Sequence, residues 1–388
     1  MKRSIPAAAL LFAAACLAQA APFTPKSDNE VVERLPVSND PALRTVESLR
    51  RQLAAKPDDG ALRLDIAQRY FDLAMAQGDP RFVGYAMATI TPLQKSAPND
   101  ARYWLLRGLL LQYGHDFDGA IQSLDRASAI DASAVDPVAW RAAIRMVQAK
   151  YAEAERECER LAAIAMPLHA QGCSAYVRAS RGGLNDAYTV LSQAVSASKD
   201  VPPSLTLWLH TRLAEMAVRL QRWDDAERHF RAALGAGITD QFLLGAYADF
   251  LLMRQRPAEV LQLLAGWERS DVLLLRLALA GRAAKEPRAT DWNQQLRERF
   301  EAAAQRGDRL HEQEAARWAL ELEGNPARAL QFARSKYEKQ KEPRDAEVLL
   351  RAAIAAKQPA AAQPVVEWLR VSRYEDPVLQ ALAGQVAR

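Results

Sequence analysis

The chain has 388 residues, 49% of them hydrophobic and 25% charged, with a formal net charge of +4. That length suits two or three ordinary domains or one long array of repeats. Only 17 residues are glycine, and strong helix formers outnumber β-branched residues, so the composition favours an all-α fold. Lysine and arginine are interspersed with acidic residues, whereas a nucleic-acid-binding protein concentrates its basic residues in one patch. The charge pattern therefore argues against a nucleic-acid partner.

Residues 1–20 have the three parts of a secretory signal peptide. Lys2 and Arg3 form the basic start, Ile5–Leu17 the apolar stretch, and Ala18-Gln19-Ala20 the small-residue cleavage site. The apolar stretch is too short to span a membrane, and no later segment reaches about eighteen uncharged apolar residues. The sequence predicts a periplasmic or secreted protein whose mature chain has no transmembrane segment.

Cys16 leaves a second interpretation of the same segment open. Bacterial lipoproteins are cleaved just before a cysteine that is then acylated, and Cys16 lies at the end of the apolar stretch. That signal usually has leucine three residues before the cysteine, where this chain has Ala13. Lipid anchoring at Cys16 is therefore the alternative to complete removal of the segment.

The remainder divides into three parts. Residues 21–41 contain four prolines and no helical period, which predicts a flexible lead-in. Residues 42–266 alternate helical stretches with short breaks, and residues 267–388 continue as more degenerate helical repeats that end in a capping helix. The basic stretch RSKYEKQKEPR at 334–344 is predicted to be a solvated helix face.

A trio of small, large and small residues recurs in the first of these helical parts. The first residue of each trio lies twelve positions after another small residue. These pairs are Gly108 and Ala120, Ala142 and Ala154, Ala175 and Ala187, and Ala214 and Ala226. Small side chains at both positions let two antiparallel helices approach closely, and the large residue fills the gap to the next helix. One pair cannot bury its apolar face, so such pairs stack into a superhelix. We expect about eight or nine units.

Two segments, 104–131 and 213–237, resemble the tetratricopeptide repeat. The first departs from that pattern at Arg107, where leucine is usual, and at Ala132, where proline is usual. The framework residues that match are Trp104, Gly108, Ala120, Leu124 and Ala127 in the first segment, and Ala214, Ala226, Phe230 and Ala233 in the second. The resemblance implies a right-handed superhelical solenoid of antiparallel helix pairs.

The resemblance also implies a concave groove that is lined by the first helix of each pair. Aromatic and arginine side chains in such a groove are the types that usually carry binding energy. The alternative at each position is a half-buried packing role. Carried over by register, the groove residues are Arg102, Gln112, Tyr113, His169, Tyr176, Trp208, Glu215, Arg219 and Tyr247.

The stretch YGHDFDGA, residues 113–120, looks at first like the start of a calcium loop. Such a loop needs a glutamate at its twelfth position, and counting from Asp116 that position is Ala127. The stretch also occupies the register of a turn within a helix pair. We therefore interpret it as a turn after which the second helix begins at Phe117 or Asp118, with acidic residues favouring the helix N-terminus.

Two cysteines, Cys158 and Cys173, follow the signal segment. In an oxidising compartment such a pair can form a disulfide. The alternative is two small buried thiols, each on its own helix.

The sequence contains no complete catalytic or metal-binding motif. HEQEA at 311–315 has Ala315 where a zinc-protease helix needs its second histidine. Asp225 and His229 have the spacing of two ligands on one helix face, but no third ligand accompanies them. We therefore predict no enzyme activity, no cofactor and no metal.

The function predicted is a non-catalytic scaffold in the periplasm that binds a peptide or helix of a protein partner in its groove. The alternative is an accessory factor of the cell envelope, lipid-anchored if Cys16 is acylated, for outer-membrane protein or polysaccharide assembly or export.

Overall fold

The computed structural model describes Ser27 and residues 40–386. The predicted signal peptide, Cys16 and most of the predicted lead-in lie outside the described residues. The chain divides into a unit of residues 1–44 and a unit of residues 45–388. Across the described residues no helix is long and apolar enough to cross a bilayer.

Helices account for nearly all of the regular structure in the described range. In chain order they are α1 (Pro41–Ala55), α2 (Gly60–Gln77), α3 (Pro80–Ile90), α4 (Leu93–Ser96), α5 (Ala101–Tyr113), α6 (Phe117–Ile130), α7 (Val135–Val147), α8 (Tyr151–Ile164), α9 (Pro167–Ala179), α10 (Leu184–Ala197), α11 (Pro203–Arg219), α12 (Trp223–Leu234), α13 (Gln241–Met253), α14 (Pro257–Leu263), α15 (Asp271–Ala284), α16 (Ala289–Gln305), α17 (Glu312–Glu321), α18 (Pro326–Lys339), α19 (Pro343–Ala355), α20 (Gln363–Ser372) and α21 (Pro377–Val386), with a 3₁₀ turn at Pro359–Ala362 before α20. The predicted all-α fold is confirmed.

The helices form pairs from α2/α3 and α5/α6 onward to α17/α18, and each pair stacks on the next. In the α5/α6 pair, a Cβ added to Gly108 would lie 2.8 Å from Leu124 Cγ and 3.3 Å from the carbonyl oxygen of Ala120. Only glycine therefore lets these two helices cross at their observed separation. Leu124 and Ala127 are fully buried. The predicted packing of small and large residues is confirmed in this pair.

The turn between the two helices of a pair, here called the hairpin turn, has a recurrent geometry. After α5, His115 adopts a left-handed φ of 62°, and the Asp116 N–H donates to the carbonyl oxygen of Leu111 at 3.0 Å. This is the hydrogen bond that closes a Schellman motif. The same left-handed position in other hairpin turns is held by Ala149, Gln221 and Gln255.

The structure explains the aspartates of YGHDFDGA. The Asp116 carboxylate accepts a hydrogen bond from the Gly119 N–H at 3.0 Å and so caps α6. Helix α6 begins at Phe117, which confirms the predicted start. Among the described residues, no group of three or more histidine, cysteine or acidic side chains is placed to hold a metal ion.

Successive turns of the superhelix touch each other, which the repeat pattern did not predict. The Lys341 N–H, just before α19, donates to the carbonyl oxygen of Val147 at 2.8 Å. The Trp368 indole N–H donates to the Tyr151 hydroxyl at 3.0 Å. We call these the closing contacts, together with two more: Gly78 with Gln241, and Leu184 with Glu375. Residues at or beside the ends of helices in early pairs therefore contact residues that are far away in sequence, in later pairs.

Candidate functional site: the inner face and the Tyr113 cleft

Side chains of the chain itself occupy the inner face of the central pairs. Arg212 on α11 donates to the Tyr176 hydroxyl at 3.1 Å and to Glu215 at 2.8 Å. Its guanidinium also lies 4.7 Å from the centre of the Phe242 ring, and Arg344 of α19 lies 4.5 Å from the same centre. Helices α9, α11, α13 and α19 thus meet at this point. The predicted groove residues Tyr176 and Glu215 belong to this intramolecular network.

Burial in this network changes the ionisation of its members. Removal from water raises the pKa of the Glu215 carboxyl, and the Arg212 guanidinium opposes that rise. Burial likewise raises the pKa of the Tyr176 hydroxyl. Tyr176 and Glu215 are half-buried, so these groups bind each other while each keeps some contact with water.

Arg219, another predicted groove residue, forms a clasp between two turns of the superhelix. Its guanidinium donates to the carbonyl oxygens of Ala179 at 2.6 Å and of Glu375 at 2.9 Å. The ring of Tyr374 lies 3.8 Å from the guanidinium carbon. The Glu375 carboxylate accepts from the Leu184 N–H at 2.7 Å. Arg219 is therefore buried in an internal contact and does not meet solvent as a groove residue would.

The structure also corrects the interpretation of Tyr247. Its side chain is 5% exposed and stacks on Phe230 with ring centres 5.1 Å apart, and its hydroxyl donates to Glu227 at 3.4 Å. The register placed Tyr247 in the groove, but the residue belongs to the core between α12 and α13. The position of a residue within the repeat predicts the helix on which it lies. It does not predict which neighbouring side chains bury that residue.

Trp208 and His169 lie together, with ring centres 5.8 Å apart in an edge-on arrangement. The Trp208 ring packs on Gly172, where an added Cβ would lie 2.6 Å from Cζ3 of the tryptophan. Both side chains are half-buried. The structure brings these two predicted groove residues into contact with each other, in the packing role that was the alternative.

The three predicted groove residues of α5 remain accessible. Arg102 is exposed and pairs with Asp65 at 2.9 Å. Gln112 and Tyr113 are half-buried at the end of α5. Tyr113 lines a cleft of about 380 Å³, here called the Tyr113 cleft. Residues from both turns of the superhelix form it: Pro80, Val83, Tyr113, Gly114 and His115 from the early pairs, and Gly307, Asp308, Arg309, Leu310, Glu312, Lys336 and Lys339 from the later ones.

Two titratable side chains of the cleft have shifted pKa values. Burial raises the pKa of the Tyr113 hydroxyl to about 12. Burial, followed by the nearby charge of Lys336, lowers the pKa of His115 to about 3. Both groups are therefore neutral at physiological pH. The charge of the cleft comes from its lysines, its arginine and its two acids.

Lys336 shows where the prediction for the basic stretch 334–344 is wrong. Lys336, Tyr337 and Gln340 are 8%, 3% and 7% exposed, so one face of α18 is buried. The spacing of these three residues is that of one helix face, and this was the signal available in the sequence. The many lysines of this stretch are typical of an exposed helix and led to the wrong prediction.

Cys158 on α8 and Cys173 on α9 form a disulfide in the structure, with Cα atoms 5.4 Å apart. The bond joins the second helix of one pair to the first helix of the next. Both side chains are buried.

His229 does not pair with Asp225 as a two-ligand site. Its Nδ1 lies 3.0 Å from Nδ1 of His210, and its Nε2 lies 3.3 Å from the Tyr188 hydroxyl, which in turn donates to Asp225 at 3.1 Å. Burial, with a further contribution from His210, lowers the pKa of His229 to about 4. The cluster therefore holds His229 in its neutral form.

This cluster predicts a loss of stability in mild acid. The unfolded chain takes up a proton on His229 near pH 6.5, while the folded protein does so only near pH 4. Above pH 6.5 the group contributes no pH dependence, and stability then falls as the pH drops from 6.5 towards 4. In the His229→Gln variant, the decrease in the free energy of unfolding between pH 7.5 and pH 4.5 should be smaller by about 1–3 kcal/mol. Urea unfolding at pH 7.5 and pH 4.5 measures this difference, and the same pH dependence in His229→Gln and wild type would refute the assignment.

Comparisons with known proteins find likeness to solved structures. No protein-family model and no curated protein sequence matches the chain. PilW, described as a widely conserved type IV pilus biogenesis factor, is 19% identical over 55% of this chain and 98% of its own, with a TM-score of 0.38. Tom70 of yeast is 12% identical over 89% and 85%, with a TM-score of 0.45. A tetratricopeptide repeat protein from Parabacteroides merdae is 12% identical over 89% and 100%, with a TM-score of 0.32. These likenesses concern the helical-repeat fold alone.

Proposed function

We propose that the protein is exported to the periplasm and acts there as a non-catalytic scaffold that holds a segment of a partner protein in the Tyr113 cleft. The observation that carries the proposal is that Tyr113 lies in an open recess, whereas Tyr176, Glu215 and Arg219 are engaged within the chain. A partner can therefore reach the α5 end of the predicted groove without separating the turns of the superhelix.

The chemistry of the recess suits recognition of a protein segment. Pro80 and Val83 offer apolar surface, and Tyr113 offers an aromatic face with a hydroxyl at its end. Lys336 and Lys339 supply charge from the later turn. Half of the lining residues lie on helices α3, α5, α17 and α18, and the other half lie in the turns after α5 and α16.

Photo-crosslinking from inside the cleft tests this function. A benzophenone amino acid at position 113 should give a discrete adduct with one protein when intact cells are irradiated. Tyr85 on α3 is the matched control, because it is an exposed tyrosine that does not line the cleft. The same adducts from both positions, or none from position 113, would contradict the proposal.

Export is tested separately on the same preparation. The protein recovered from the periplasmic fraction should begin at Ala21, after removal of residues 1–20. An uncleaved chain in the cytoplasm would contradict export, and an acylated N-terminal Cys16 would support the lipid-anchored alternative.

A further inference from the structure

The two sides of the Tyr113 cleft differ in chemical character. The side from the early pairs presents the apolar surfaces of Pro80 and Val83 and the ring of Tyr113. The side from the later pairs presents Lys336 and Lys339 of α18, together with Arg309 and the acids Asp308 and Glu312, so cations outnumber anions there. An occupant that contacts the apolar surfaces and pairs with the two lysines is apolar towards the first side and anionic towards the second.

Lys336 is the informative residue because its charge has no direct partner. The residue is 8% exposed, yet among the described residues no carboxylate lies within 4.0 Å of its ammonium and no hydrogen bond is made by it. Its charge acts over a longer distance on three carboxyl groups and favours a lower pKa in each. They are Glu314, Glu342 and Asp345. The stem of Lys336 is buried while the residue lines the cleft, so a carboxylate brought into the cleft can form an ion pair with its ammonium.

Among the basic groups of the cleft, the two lysines are the ones placed to bind an anion. Arg309 is engaged with Glu312 at 3.1 Å and with Ser335. His115 is neutral, so it adds no positive charge and can make one hydrogen bond as donor or acceptor. Lys339 is exposed beside Lys336 on the same helix. Its ammonium also acts on His115, which places both lysine charges near the same part of the cleft.

An extended peptide has the geometry that two unlike walls require. Successive side chains of a strand point to opposite sides, so alternate residues can meet the two walls. We propose that the Tyr113 cleft binds an extended partner segment in which apolar and acidic residues alternate. A carboxylate pairs with Lys336 and Lys339, and apolar side chains lie against Val83 and Tyr113. This inference rests on the proposed function and names the chemistry of its partner.

The test uses two peptides that differ only in charge. Fluorescein-labelled Leu-Glu-Leu-Glu-Leu-amide and Leu-Gln-Leu-Gln-Leu-amide are titrated with the purified exported protein, and anisotropy reports binding. The glutamate peptide should bind at least about tenfold more tightly, as expected for one charge-assisted hydrogen bond. Lys336→Met with Lys339→Met should abolish that preference while leaving the glutamine peptide unchanged.

Two controls separate the site from general charge and from misfolding. Lys150→Met with Lys199→Met removes the same charge from exposed positions outside the cleft and should leave the preference intact. Lys336→Arg keeps a cation on α18 and should retain at least part of the preference, which distinguishes loss of the anion partner from loss of fold.

Each remaining outcome overturns the inference. Equal affinity for the two peptides, lost in Tyr113→Ala, would show a cleft that binds apolar segments without reading charge. If the preference for the glutamate peptide is lost equally in the Lys336/Lys339 and the Lys150/Lys199 double variants, the attraction between protein and peptide is non-specific. No binding of either peptide up to about 1 mM, a free energy near −4 kcal/mol, would also contradict it. Crosslinking from position 113 tests whether a partner protein occupies the cleft, and its result does not depend on these three peptide-binding outcomes.

Discussion

Replacement of Arg276 by methionine is expected to lower the free energy of unfolding by about 3–5 kcal/mol, the cost of removing one partner from a buried ion pair. Arg276 is 1% exposed on α15. Its guanidinium donates to Asp249 at 2.7 Å and to the carbonyl oxygen of Val272 at 2.8 Å, and it lies 3.5 Å from Glu314. Methionine fills much of the volume but leaves these acceptors without their donor.

The two acids respond differently to that replacement. Asp249 keeps a second partner, Arg317, at 2.8 Å, whereas Arg276 is the main cation that lowers the pKa of the buried Glu314. In the Arg276→Met variant the pKa of Glu314 should therefore rise. The loss of stability should be largest at neutral pH, where Glu314 is charged, and smaller in acid, where protonation relieves it.

Arg102→Met is the matched control for this prediction. Arg102 also pairs with an aspartate, Asp65 at 2.9 Å, but both side chains are more than half exposed. Exposed pairs contribute at most about 1 kcal/mol. Urea unfolding monitored by circular dichroism compares the variants, and equal small losses from both would contradict the role assigned to Arg276.

Reduction of the disulfide is the second large effect. Cys158 and Cys173 are separated by 15 positions, and closing a loop of that length contributes about 3 kcal/mol in the chain-entropy model. The oxidised protein should therefore be more stable than the reduced protein by about this amount. Urea unfolding with and without dithiothreitol measures the difference.

The double variant Cys158→Ala with Cys173→Ala controls for effects of the reductant, since its stability should not depend on dithiothreitol. A thiol assay on denatured protein that begins at Ala21, and so lacks Cys16, should find no reactive cysteine. Two reactive thiols would show that Cys158 and Cys173 are instead separately buried side chains.

The repeat framework could be predicted because it depends on local chemistry. Gly108, Ala120 and Leu124 have types dictated by the close approach of two adjacent helices, α5 and α6. The start of α6 at Phe117 follows from the capping group Asp116, which lies beside it in sequence. Contacts between neighbours in sequence leave a periodic pattern that one chain can reveal.

The closure of the inner face could not be predicted in this way. The contact of Arg219 with Tyr374 and Glu375 joins residues more than 150 positions apart. Whether such residues meet depends on the pitch of the superhelix, which is the sum of many small rotations between pairs. No single residue pattern encodes that sum. The register therefore placed Tyr176, Glu215 and Arg219 on an open groove that the later pairs cover.

Lys336 was overlooked for a related reason. Its neighbours in sequence are mostly charged, which is typical of a solvated helix face. The groups that surround it, among them His115 and Glu314, come from other parts of the chain. Its burial is a property of the contact between turns.

Amide hydrogen exchange at Leu184 is the most direct test of the contact between successive turns of the superhelix. Leu184 is the first residue of α10, where backbone N–H groups have no partner within the helix. Its N–H donates to the Glu375 carboxylate at 2.7 Å. We predict that this amide is protected in the wild type and exchanges at least about tenfold faster in Glu375→Ala, with no change in Glu367→Ala. Fast exchange in the wild type, or the same rate in Glu375→Ala, would show that the turns are separate in solution and that the inner face is open.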